Sequence, residues 1–111
     1  MDRIASVAAR YIAAAPDRCY PSEVIEAALK CLTDLVGVAV GGRREPVVQL
    51  TLAEAGRWRS VGNAPIFLGP RTASPIAAIV NATMAHVNDF DDTHIPTDAH
   101  FSGPIWPALL A

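Results

Sequence analysis

Positive charge is missing from the last part of this chain. All nine Lys and Arg of the 111 residues fall at or before Arg71, so residues 1–71 set nine cations against seven acids, a balance of +2. Residues 72–111 carry four Asp and no Lys or Arg, a balance of −4. The overall net charge of −2 leaves no basic footprint and argues against nucleic acid as a partner. Charge is scarce altogether, 18% against 51% apolar residues, which argues against a disordered chain. Cysteine is scarce too. Cys19 and Cys31 lie twelve apart with no C-x-x-C pattern, so reduced, partly buried thiols are expected rather than a disulfide scaffold. No stretch approaches the roughly 20 apolar residues of a membrane span. Arg10 interrupts the alanine-rich N-terminal stretch that would otherwise imitate a signal peptide. A cytoplasmic location without membrane association is expected.

At this length the chain forms one domain at most. The acidic second segment is too poor in charge to be mostly solvated surface. Residues 106–111, WPALLA, read as the start of an apolar helix with neither C-cap nor polar tail. The expectation is a single, incomplete all-α domain over residues 1–111, either part of a longer enzyme or a small subunit. A homo-oligomer or a larger complementary chain would complete it.

Hydrophobic spacing supports that class. Ile4, Val7, Ala8, Tyr11 and Ile12 mark a first helix over residues 2–15, ended by Pro16. Pro21-Ser22-Glu23 opens a second, with an acid where the helix dipole favours one. Its stripe of Val24, Ala28, Cys31, Leu32, Leu35, Val36 and Ala39 runs to Gly41-Gly42. Glu45-Pro46 opens a third helix, to about Ala55. Residues 56–74 form a long internal loop with a short strand expected around Ile66-Phe67-Leu68. Ser74-Pro75 starts a fourth helix through Val87, apolar nearly all round and so expected to be buried. Asn81 is its odd polar residue, expected to hydrogen-bond a neighbouring helix. Pro96 and the Ser102-Gly103-Pro104 turn keep residues 93–103 irregular.

Against this plain background residues 86–102, HVNDFDDTHIPTDAHFS, hold all three His and four of the seven Asp. A loop fixed to a rigid buried helix can hold reactive groups accurately. Asp89, Asp91 and Asp92 fall within four residues, which crowds three carboxyl groups into one loop. His100 adds an imidazole, the side chain most often used to move protons. Together such groups can take a proton next to a carboxylate and return one to a leaving hydroxyl. Two other readings fit the same letters. An acidic loop could simply cap a neighbouring helix, and Asp91, Asp92, His94 and His100 are plausible metal ligands. There is no HExxH, however, and the spacings fit no common metal template. The sequence assigns neither metal nor cofactor.

Residues 75–111 resemble the MmgE/PrpD family, which includes 2-methylcitrate dehydratase and cis-aconitate decarboxylase. The likeness rests on Ser74-Pro75, Ala77-Ala78, Asn81, Ala85-His86 and Asp89-Phe90-Asp91-Asp92-Thr93, then His100, Ser102-Gly103 and an apolar run with Pro107. Asp34, Gly37 and Gly41-Gly42 extend it through the second helix. The resemblance implies a cofactor-independent lyase or isomerase acting on small di- or tricarboxylates, a carbon–oxygen or carbon–carbon lyase. Its active site would lie between an all-α domain and a smaller α+β domain. Carried over by position, Asp89 and His100 are the candidates for proton transfer. Thr93 would hydrogen-bond a substrate carboxylate, and Asp92 would bind beside it or orient its neighbours. The family usually shows His-Pro-Ser-Gly where this chain has His100-Phe101-Ser102-Gly103, and the Asp89–His100 spacing is one residue longer than in decarboxylase-like members. The family's remaining catalytic His and Lys lie downstream of the matching region. The rival expectation is a non-catalytic accessory or remnant protein that binds a larger partner.

Overall fold

The computed structural model describes residues 3–111 and contains five α-helices with one two-stranded hairpin. Helix α1 spans Ile4–Ala13, α2 Ser22–Gly42, α3 Pro46–Arg57, α4 Ser74–His86 and α5 Ser102–Leu110. Short 3₁₀ turns occupy Ala15–Asp17 and Ile95–Thr97. The all-α class holds. The expected start of the first helix at Asp2 lies outside the described residues.

Helix α4 is the centre. Ile76, Ala77, Val80, Asn81, Met84 and Ala85 are buried along it, packed against α2, α3 and α5. Leu35 and Ala39 from α2 and Val48 from α3 complete the helical core, with Ala64 and Ile66 from the hairpin. Contact between α2 and α4 is very close, since a Cβ added at Gly42 would lie 2.3 Å from the carbonyl oxygen of Met84. Burial is not complete round α4: Ile79 is 51% exposed and lines an apolar hollow of about 350 Å³ with Leu50 and Trp58.

Three local expectations are corrected. The strands are Ala64–Pro65 and Arg71–Thr72, paired antiparallel, while Ile66-Phe67-Leu68 form the turn between them. The amide of Gly69 bonds the carbonyl of Ile66 at 2.9 Å, with Leu68 at φ 53°. Gly69-Pro70 thus closes the chain back before an extended run can develop. Asn81 reaches this hairpin, not a helix: its Nδ2 donates to the Pro65 carbonyl and its Oδ1 accepts from the Phe67 amide, both at 2.9 Å. Finally α5 begins at Ser102 instead of near Trp106. Pro104 sits in its first turn, where a missing N–H costs nothing.

Among the described residues, none before Leu35 is buried. Helix α1 packs on the Ala15–Asp17 turn and buries none of its residues. Ile4, Val24 and Leu29 are among many large apolar side chains left exposed. Both cysteines are free, and Cys19 is exposed where partial burial was expected; Cys31 is half-buried. The accessible surface is 7876 Å², about 2,000 Å² above the ~5,900 Å² expected for a folded monomer of 11.7 kDa.

Replacing Asn81 by Ala should strip partners from the Pro65 carbonyl and Phe67 amide and cost about 2–4 kcal/mol. Urea denaturation would give the loss. Faster hydrogen exchange at the Phe67 amide would locate it in the hairpin.

Candidate functional site

The end of α4 builds the site. His86 is its last residue, and the chain turns through an Asp89 N–H to His86 carbonyl bond of 2.9 Å. Asp89 adopts the left-handed conformation, φ 53°, which Asp tolerates better than most residues. This turn sends Asp89 outward and Asp91 inward. The side chain of Asp91 is completely buried, whereas that of Asp89 is 76% exposed.

Two imidazoles converge on Asp91. Nδ1 of His86 lies 3.0 Å and 3.3 Å from its two carboxylate oxygens. Nδ1 of His100 lies 3.4 Å from Oδ1 of Asp91 and 3.2 Å from its backbone carbonyl. The rings of His86 and His100 meet edge to face, 5.2 Å between centroids. From the other side of its ring His100 presents Nε2 to Oδ1 of Asp89 at 3.5 Å. Gly103 makes room for this arrangement, because a Cβ there would come within 2.8 Å of Oδ2 of Asp91. Burying a carboxylate is costly without partners, and here both oxygens of Asp91 face the Nδ1 of His86, with the Nδ1 of His100 beside Oδ1.

The remaining candidates are placed less centrally. The hydroxyl of Thr93 lies 3.5 Å from Nδ1 of His100, on an exposed residue. Oδ1 of Asp92 accepts from the backbone N–H of Ser102 at 3.3 Å. That bond puts a negative charge at the start of α5, so helix capping falls to this one residue of the acidic loop. His94 turns away: its Nδ1 meets the Thr97 hydroxyl at 2.8 Å and its ring leans on Phe101. Of the ligand set Asp91, Asp92, His94 and His100, only Asp91 and His100 enter the cluster that could hold a metal. Their companions are His86 and Asp89. The sequence places His86 at the edge of the cluster and within the family likeness but gives it no role. His86 belongs to the periodic helix, and its role appears only once the chain folds back at residue 100.

An open groove of about 890 Å³ runs over the cluster, and His86, Asp89, Asp91, His100 and Gly103 line it with apolar residues of α3 and α4. None of its lining residues is Lys or Arg. Arg57, Arg59 and Arg71 are exposed, with Arg57 held by Glu54 at 3.2 Å and Arg71 donating to the Asn63 carbonyl. Buried carboxylate, paired imidazoles and an exposed carboxylate over a groove suit proton transfer to a bound molecule.

The family model described as MmgE/PrpD N-terminal domain matches residues 6–111, a span that includes the whole cluster. No curated protein and no solved structure gives a significant match.

Substituting Ala for Gly103 should drive the Asp91 carboxylate from its position and cost about 1–3 kcal/mol. Thermal or urea unfolding would register the cost. Shifts of the His86 and His100 ring resonances, with those of His94 unmoved, would place it in the cluster.

Proposed function

This chain belongs to the MmgE/PrpD family, and from that membership together with the His–Asp cluster we propose that it is the N-terminal helical part, or a small subunit, of a cofactor-independent lyase or isomerase. Its substrates are small di- or tricarboxylates. The observation that carries the reading is Asp89 facing Nε2 of His100 at 3.5 Å over an open groove, with His100 steadied from behind by Asp91. One member of the Asp89–His100 pair takes the proton from the carbon next to a substrate carboxylate. In a dehydration, the electron pair left behind forms the carbon–carbon double bond as the carbon–oxygen bond breaks. The other member delivers a proton to the departing hydroxide, which leaves as water. Thr93, beside His100, donates a hydrogen bond to a substrate carboxylate, and Asp92 fixes the start of α5 beneath them.

Such a substrate carries two or three negative charges, and the groove offers no Lys or Arg. Cations from a larger complementary chain, or from another part of an assembly, would overcome that repulsion. The surplus of about 2,000 Å² of accessible surface supports a partner, being well above the ~800 Å² that a standard interface covers on each side. The same surplus, set beside an anionic groove, favours the second reading: a non-catalytic accessory or remnant protein that binds a larger relative.

Asp89→Asn and His100→Ala should each lower turnover of the complete assembly by about 10²–10⁴-fold. They should also suppress deuterium uptake from D₂O at the carbon next to the substrate carboxylate. Asn is the right replacement at 89 because it accepts the left-handed backbone, so strain is not mixed with lost chemistry. Wild-type rates in both variants would end the lyase reading. Native mass spectrometry from the source cell separates the two readings: a complex with a lysine-bearing chain fits the split lyase, and no such complex fits the accessory protein.

A further inference from the structure

We propose that His86, Asp89, Asp91 and His100 form a binding site for one divalent transition cation of the zinc type. One donor atom from each of the four residues lies within 4.8 Å of all the others. A tetrahedral ion with bonds of about 2.0–2.2 Å holds its donors roughly 3.3–3.6 Å apart. Two donor pairs already stand at 3.0 and 3.5 Å and the others lie within 4.8 Å, so closure on an ion asks for side-chain movements of about 1 Å. Two imidazole nitrogens and two carboxylate oxygens suit zinc chemically, and the two carboxylates neutralise its charge.

Two independent features point the same way. The first is the orientation of His100. Its Nδ1 faces the Asp91 carbonyl at 3.2 Å, which leaves Nε2 aimed at Asp89 as the free donor. A ligating histidine characteristically gives its other ring N–H to a backbone carbonyl in this way. The second is the field of the region: residues 72–111 carry four Asp and no Lys or Arg, and the groove lining has none either. That potential draws cations inward. The exposed side chains of His86 and Asp89, 58% and 76%, give the ion a way in.

Occupancy would engage the lone pairs of Asp89 and His100, so the cation-bound form would be unable to transfer protons. This consequence rests on the lyase reading; the binding itself does not.

The test is calorimetric titration of the full chain with Zn²⁺, paralleled by Co²⁺ and its visible absorption. The expected result is one ion per chain with the intense bands of tetrahedral Co²⁺. His86→Ala and Asp89→Asn should each weaken binding about tenfold or more, and His94→Ala should leave it unchanged. His86→Gln replaces the alanine variant should circular dichroism show the latter unfolded. Absence of saturable binding overturns the site, as does an affinity unchanged in both variants. Full turnover in Asp89→Asn alongside lost Zn²⁺ binding would sink the lyase reading and leave the cation site standing.

Discussion

The near-contact of α2 with α4 at Gly42 sets the rest of the structure. With no Cβ at that point the two backbones approach until Gly42 meets the Met84 carbonyl and the Val87 side chain. Any larger residue would push the C-terminal end of α4 outward, and that end is where His86 sits. Once α4 is fixed, its other faces organise the rest. Asn81 clamps the hairpin, Val80 and Met84 fill the core, and α5 packs along the side that receives His100. The reactive cluster is therefore braced at both ends by helices that share one buried neighbour.

Within that frame the electrostatic problem is Asp91. A fully buried carboxylate survives only when its partners replace the lost water, and removing one partner strands the charge. Two histidines from opposite sides of the loop supply those partners, and Gly103 keeps the space open. The three nearby aspartates thus differ sharply in environment despite adjacent positions. Asp91 is enclosed, Asp92 is tied to the N-terminus of α5, and Asp89 is left facing the groove.

The helices were largely legible in the sequence because spacing, Pro starts and the Gly41-Gly42 stop are local signals. Asp89 and His100 were legible through family resemblance, and the structure brings them together at 3.5 Å. What escaped was the part decided by return of the chain. His86 stood in the cluster and the family likeness without a role, and His94 looked as eligible as His100 for a metal until the 3₁₀ turn at Ile95–Thr97 swung it onto Phe101. The hairpin was misplaced by two residues because Ile66-Phe67-Leu68 has strand composition. Its neighbours Gly69 and Pro70, and the reach of Asn81, determine the turn. Start signals also misled at α5, where two prolines suggested irregular chain but one occupies the first turn.

The left-handed backbone at Asp89 restricts what can stand there in a second way, apart from chemistry. Only Asp, Asn and Gly take that conformation with little strain. A lineage that kept the fold but abandoned the chemistry would drift at this position toward Asn or Gly more readily than toward Ala or a branched residue. On the lyase reading, the letter found at residue 89 in any descendant copy is thus a compact record of its groove: Asp where selection holds the reaction, a backbone-compatible neutral residue where it has let go.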